Sequence, residues 1–559
     1  MSLVARNHRP GISDQTRIAR KTVDAKRLQL ASLATVAPGN ALCNGLAASA
    51  GHQRSARSAR DPSVQELPIA DGALSGLYLC NRFLQPKESM LKLLKLRWIC
   101  VWLLWTCAVV LAEEPVLIGS RRELFVDKFL VERLDNATLK LHDPTKATHP
   151  KSPLIGGYAT VIKDGDLFRA VYRSYDPSYE GARYDGDPSE MTCYTESRDG
   201  HEWTHPKLGI VEINGSRENN VILRASPFST NFSPFLDNRP DVPVDQRFKA
   251  TAGLSDSAVK HIQTTKPGEA KGAKGGLYTF VSPDCIHWRQ LSQEPAITMT
   301  EFGFDSQNVS FWSPSENLFV CYFRSWTNGL RSISRATSPD FVTWSTPMPP
   351  FPNLPGEHLY TSQTHPYFRA PHLSVALPTR FHPDRGDSTD ILLMTSRGPA
   401  PFDRTFREAF IRPGLDRARW GNRSNYAALN VVPTSPEEMS VYHVGSGDRF
   451  VLRTDGFASV HAGADVGELL TRPLRFTGKE LVVNYSTSAA GSVRVEVQDA
   501  SGKPIPGFTL ADSRNLVGDA IEQLVSWTKG SNVSSLAGQS VRLRFVMHEA
   551  DLFAIQFRQ

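Results

Sequence analysis

The chain has 559 residues, 40% of them hydrophobic, and a formal net charge of +6. That charge is uneven: residues 1–112 hold 15 Lys/Arg against 6 Asp/Glu, which leaves the rest of the chain at −3. A mildly acidic remainder excludes a global electrostatic footprint for nucleic acid, and its length of about 450 residues allows two or three domains.

Residues 1–89 are Arg-, Ser- and Ala-rich without a sustained apolar period, and they read as disordered. The simplest account is an upstream extension ahead of a true start at Met90. The stretch 90–112, MLKLLKLRWICVWLLWTCAVVLA, has the order of an export signal. Lys92, Lys95 and Arg97 form a positive n-region, and an apolar run follows from Trp98 to Leu111. Val110 and Ala112 supply small side chains before a cut ahead of Glu113. The run is shorter than the roughly 20 apolar residues a membrane span needs. The mature protein is therefore expected to be secreted or periplasmic, with no stable membrane insertion after cleavage.

The mature chain reads as all-β. Short runs such as LFRAVYRS, LFVCYFRSW, DILLMTS and MSVYHV recur between Gly, Pro, Asp and Ser clusters. Four segments align as repeats, ending at Trp203, Trp288, Trp344 and Trp420, each with Asp four residues earlier (Asp199, Asp284, Asp340, Asp416). Ser197, Ser282 and Ser338 stand two before the Asp in the first three, and Gly414 takes that place in the fourth. Ser-x-Asp closes a tight side-chain-to-backbone turn, so these Asp residues read as turn formers and the Trp residues as core. One such turn per group of strands predicts a radial array. Five blades are expected over 113–462, with ELFVDKFLVE closing or capping the ring and Ser255–Gly276 a surface hairpin or loop.

From about Ala464 the texture changes. VRVEV and VRLRF alternate cleanly, which predicts a half-buried antiparallel β-sandwich over 463–559. Of seven cysteines, Cys43, Cys80, Cys100 and Cys107 precede Glu113, and Cys193, Cys285 and Cys321 follow it. The three lie in or beside apolar runs without metal-ligand spacing. They read as buried free thiols, one disulfide being the alternative. No cofactor or metal pattern is present, and a monomer is expected.

The Ser-x-Asp-x-x-x-Trp turn resembles the blade signature of the five-bladed glycoside hydrolases of families 32, 43, 62 and 68; sialidase Asp boxes carry one more residue and fit less well. The stretch FGFDSQNVSFW, followed by LFVCYFRSW and SPDFVTW, resembles the acid-bearing blade of family 32. The chain over 120–559 also resembles a group of secreted planctomycete-type glycosyl-hydrolase-like proteins through LFVDKFL, FDSQN, EHLYTSQTHPYFRAPH, EAFIRPG and NYSTSAAGSVRVEVQDASGKPIPGF. The resemblance implies a five-bladed β-propeller followed by a C-terminal β-sandwich, acting on carbohydrate. Departures are visible: LIGGYATV stands where the family has N-D-P-N-G, FDSQN lacks the Arg of R-D-P, and no E-C motif occurs.

Glycoside hydrolysis needs two carboxyl groups across the scissile bond. By family position Asp305 is the inner-strand acid, and Glu357 or Glu408 the general acid. Asp127, in an apolar run, must have a partner or a task, because an unpaired buried carboxylate is costly. Tyr360, His365, Tyr367, Arg369, His372 and Trp312 supply the mixture of aromatic faces and polar heads that a sugar site wants. Two other readings stand beside the hydrolase: a non-catalytic carbohydrate-binding propeller, and a sialidase-like or lyase activity, which converging arginines would favour.

Overall fold

Apolar alternation makes strands wherever a turn can close them, and a computed structural model shows a chain built almost wholly that way, over residues 114–559 except 300, 301, 350 and 352. The expectations for 1–89, for the signal peptide at 90–112 and for the first four cysteines lie outside the described residues.

Antiparallel sheets follow one another along the chain. The first joins Gly157–Asp164, Leu167–Tyr175, Glu190–Ser197 and Val221–Leu223. The second joins Ser233–Leu236, Phe248–Leu254, Gly276–Ser282 and Arg289–Gln290. The third joins Val309–Ser313, Leu318–Thr327 and Leu330–Ser338. Two three-stranded sheets come next, one on His365–Tyr367, Ala370–Ala376 and Met394–Arg397, the other on His358–Leu359, Thr379–His382 and Ser388–Ile391. The last of the series joins Val432–Pro433, Glu438–Tyr442 and Arg449–Arg453 to Thr145–Lys146 from far earlier in the chain.

The leading strands of these sheets pack in a circuit. Gly157–Asp164 meets Ser233–Leu236, which meets Val309–Ser313, which meets His365–Tyr367. Val431 N–H donates to His365 Nε2 at 3.0 Å. Leu429 N–H donates to Ala159 O at 2.8 Å and returns the circuit to the first strand. Apolar side chains fill the gaps between neighbours: Val171 and Tyr194 of the first sheet share a core with Phe248 and Phe280 of the second.

The Ser-x-Asp turns close the third strand of each of the first three sheets in one geometry. Ser197, Ser282 and Ser338 Oγ accept from the N–H three residues on, at 2.9, 2.9 and 2.8 Å. Asp199, Asp284 and Asp340 Oδ1 each accept two further N–H groups. The fourth repeat departs. Without a hydroxyl at Gly414, Asp416 caps the 3-10 turn Arg417–Arg419 instead, and Trp420 stands 60% exposed while Trp203 is 2% exposed. Trp288 and Trp344 are half-buried and donate their indole N–H to Cys285 and Phe341 O respectively.

Two further expectations are corrected. Ser255–Gly276 is not a plain loop: Asp256–Thr265 is an α-helix, capped by Ser255 Oγ accepting from Ala258 N–H, because Val259 and Ile262 fall on one face and pack with Leu254 and Ala270. ELFVDKFLVE does not close the ring. It splits into Arg122–Leu124 and Val131–Asp135 around a bend, and both strands enter a ten-stranded sheet with the C-terminal strands. There Val493, Val495, Val497, Val541, Leu543 and Phe545 point into one core, as their alternation predicts, together with Ile118, Phe125 and Leu130 from the other end of the chain. Cys193, Cys285 and Cys321 are buried and free.

Candidate functional site

The stretch FDSQN is a bolted corner. Phe304 N–H donates to Arg324 O at 3.0 Å, Asn308 Nδ2 to Phe304 O at 3.1 Å, and Arg324 N–H to Asn308 Oδ1 at 3.2 Å. Gln307 Nε2 reaches Thr160 Oγ1 at 3.0 Å, and Gln363 Nε2 reaches Gln307 Oε1 at 2.8 Å, so the corner is tied to the first and fourth sheet regions. Asp305 is the one residue of the stretch left partly exposed. Arg324 holds it from below, and burial alone would weaken that guanidinium's charge. The Asp305 carboxylate outweighs burial, so Arg324 is more firmly protonated than usual.

Three tyrosines from different segments gather beside this pair. Tyr426 lies edge-on to Tyr360 at 5.5 Å and edge-on to Tyr158 at 6.1 Å between ring centres. Tyr158 follows Gly156 and Gly157, and a Cβ on Gly156 would lie 2.1 Å from the Tyr172 ring. Burial raises the Tyr158 and Tyr426 phenols well above their usual range, and neighbouring tyrosines add to the shift, so both stay neutral. They can donate as well as accept hydrogen bonds.

Four arginines frame the tyrosines. Arg324 and Arg331 lie over Tyr360 at 4.3 and 5.0 Å, and Arg173 lies over Tyr158 at 4.6 Å. Arg423 pairs with Asp387 at 3.3 Å, and burial, which would weaken its charge, is outweighed by the nearby Tyr360 phenol and Asp387. Beyond Tyr158, Arg173 joins two acids, the half-exposed Asp185 at 3.4 Å and the buried Glu190 at 3.3 Å. Glu190 also accepts from Gly186 N–H at 2.9 Å and from the Thr230 hydroxyl. Burial pushes its carboxyl up to about 7; Arg173 opposes this and the nearby Asp185 charge reinforces it.

Of the residues singled out from sequence, Asp305 and Tyr360 stand in this cluster. Glu357 is buried and gripped by Arg404 Nη1 and Nη2 at 3.0 and 2.8 Å. Glu408 is exposed on a loop and accepts from Arg407 N–H at 3.0 Å. Neither contacts Asp305 among the described residues. Asp127 sits in the bend after Arg122–Leu124, held by Arg397, by Thr395 Oγ1 at 3.3 Å and by Phe129 N–H at 2.9 Å. Its partner is structural.

The expected sugar-contacting set is likewise dispersed. His365 is buried with both ring nitrogens engaged, by Gln363 O at 2.9 Å and Val431 N–H at 3.0 Å, and burial holds it at about 4, hence neutral. Tyr367 donates to Asp455 at 2.7 Å, Arg369 bridges Asp455 and Glu522, and His372 meets Glu123 at 2.9 Å. These three belong to an ionic seam against the ten-stranded sheet. Trp312, at the far end of its strand from Asp305, packs on Phe319 with Arg239 over its ring at 4.6 Å.

Sequence reasoning missed Tyr158, Tyr426, Arg173, Arg331, Arg423, Asp185 and Glu190. The one signal available was LIGGYATV, the stretch that replaces the family's first-blade motif and carries Tyr158.

No protein-family model and no curated protein matches this chain. Solved structures similar to it include a thermostable family-43 glycoside hydrolase (12% identity, TM-score 0.35, covering 56% of this chain and 93% of that one). A fructofuranosidase from Schwanniomyces occidentalis complexed with fructosylnystose matches at 9% identity and TM-score 0.36, over 75% of this chain and 99% of that one. An N-acetylgalactosamine deacetylase from F. plautii in complex with blood group B trisaccharide matches at 11% identity and TM-score 0.36, over 74% and 96%. These values lie below the level at which residue roles transfer from one chain to another.

Proposed function

We propose that this protein is a secreted glycoside hydrolase, a five-bladed β-propeller with a C-terminal β-sandwich, acting at the tyrosine–arginine cluster. The circuit of leading strands, with Thr145–Lys146 completing the last sheet, supports the propeller reading. The observation that carries the activity is that two partly exposed carboxylates flank one aromatic group: Asp305 beside Tyr360 and paired with Arg324, and Asp185 beside Tyr158 and paired with Arg173, which it shares with Glu190.

In this reading a sugar ring stacks on Tyr360 and Tyr426, and the tyrosine hydroxyls contact its hydroxyls. Asp305, fixed in place by Arg324, serves the electron-deficient carbon as nucleophile or water-activating base. Asp185 is the second carboxyl, on the leaving-group side. Glu190 is a positioning residue: its protonation decides whether Arg173 is shared by two carboxylates or left to Asp185.

The test is hydrolysis of a polysaccharide panel by the wild type, Asp305→Asn and Asp185→Asn. Turnover lost in both variants, with binding retained, supports the assignment. A wild type that binds glycans and turns over none leaves the carbohydrate-binding reading in its place.

A further inference from the structure

Arg324 and Arg331 share one neighbourhood and are treated differently by it. Arg324 is satisfied throughout, with Nε and Nη2 on Asp305 and Nη1 donating to Tyr360 O at 3.2 Å. Arg331 has no carboxylate within ion-pair distance among the described residues, and its Nε is buried without a hydrogen-bond partner. Aromatic faces surround its guanidinium instead: Phe381 at 4.6 Å, Trp326 at 4.7 Å and Tyr360 at 5.0 Å. Trp326 Nε1 is a second buried donor without an acceptor.

The other charges facing this spot do not compensate Arg331. Asp305 is committed to Arg324 and Asp387 to Arg423. His358 Nδ1 accepts from Arg331 N–H at 3.2 Å, and burial followed by Arg331 and Arg324 lowers its pKa, so it adds no negative charge. Burial and then Arg324 weaken the charge on Arg331 itself; Tyr360 and Asp305 offset this only in part, and an anion would relieve the rest. Among the described residues, two donors without acceptors and one cation without a counter-charge, beside the tyrosines, lack the same thing: an acceptor-rich negative group. Arg331 is only half-buried, so a ligand can reach it.

We propose that the site takes an anionic sugar, one bearing a carboxylate or a sulfate, and that Arg331 recognises the charged substituent while Tyr360 and Tyr426 stack on the ring. This deepens the hydrolase reading and rests on its site. The guanidinium fork suits both oxyanions, and the aromatic walls reduce the competing water.

The test measures binding through tryptophan fluorescence, with Trp326 beside the guanidinium as reporter, and by calorimetry. The probes are an oligogalacturonate, a sulfated galacto-oligosaccharide and a neutral galacto-oligosaccharide of equal length. At least one charged probe is expected to bind about tenfold or more tighter than the neutral one. That preference should vanish in Arg331→Met and survive in part in Arg331→Lys, with thermal midpoints confirming that both variants fold. Equal affinity for charged and neutral probes, or a preference unchanged in Arg331→Met, overturns the proposal. Hydrolysis of the same probes separates it from the hydrolase reading. Charge-selective binding without turnover sinks the hydrolase alone; turnover of the neutral probe without charge preference sinks this inference alone; binding to none sinks both.

Discussion

Arg324 grips Asp305 through two separate nitrogens, Nε to Oδ1 at 2.9 Å and Nη2 to Oδ2 at 2.6 Å, and of the two side chains only that of Asp305, 19% exposed against 1%, reaches solvent. Asp305 therefore has both a chemical and a structural task. A partly exposed acid among buried neighbours suggests that Asp305→Asn would abolish turnover and spare the fold. The geometry changes the second half of that expectation. Removing the counter-charge of a buried guanidinium should cost about 1–3 kcal/mol, alongside at least a hundredfold (~10²) loss in kcat. The double variant Asp305→Asn/Arg324→Met should recover stability and not activity, as read by thermal midpoint and initial rate.

Glu190 gives a pH signature. Its carboxyl titrates at about 7 in the folded protein against 4.5 ordinarily. Between those values the folded chain keeps a proton that the unfolded chain has lost, so stability falls as pH rises through the window. Relative to Glu190→Gln, the wild type should lose on the order of 3 kcal/mol between about pH 4 and about pH 8. Urea midpoints of both proteins across that range check it; parallel curves would refute the buried-acid assignment.

The repeat tryptophans should not behave alike. Trp203→Ala empties a core site and should cost about 3–5 kcal/mol. Trp420→Ala, on an exposed ring, should fall within about 0.5 kcal/mol of wild type. Chemical denaturation of the two variants distinguishes them. Equal losses would mean that the fourth repeat packs as the first does.

Asp455 anchors the seam to the ten-stranded sheet, accepting from Tyr367 at 2.7 Å, Arg369 at 2.6 Å and Asn484 at 3.0 Å, with Arg122 at 3.4 Å. Asp455→Ala should therefore destabilise by about 3–5 kcal/mol, because it strands buried cations. Tyr367→Phe removes one hydrogen bond and should cost about 1 kcal/mol. If neither change weakens sugar binding in the folded variants, Tyr367 and Arg369 are confirmed as seam residues.

Strands and turns were legible because their causes are local. Val493, Val495 and Val497 announce a buried face by alternation, and Ser338 with Asp340 announces a turn by two side-chain acceptors. Val259 and Ile262 were hidden inside a polar, Lys- and Gly-rich stretch, where two apolar residues make too faint a period to stand out. The site was only half legible. Asp305 sits in a dense motif whose neighbours Phe304, Gln307 and Asn308 are all tied into the corner by hydrogen bonds, and that density is visible in sequence. Glu190 and Arg173 lie 17 residues apart in strands that happen to be adjacent, and Arg331 matters for the counter-charge it lacks among the described residues. No local pattern encodes a missing partner. The ion pair of Glu357 with Arg404 was hidden for the complementary reason: an acid in a polar run shows nothing of the cation that the fold brings onto it.

The placing of Arg122 bears on how the chain is made. Its Nη2 donates to Gln556, 434 residues away, and among the described residues its strand has no ladder partner other than Leu124↔Ala554 and the two pairs beside it. During synthesis the ring's sheets can close in order as they emerge. The strand before them must wait, with its edge unmatched, until residues 554–556 have emerged. A nascent chain halted after residue 540 should show the strand at 122–124 still open to proteolysis while the sheets after it are protected.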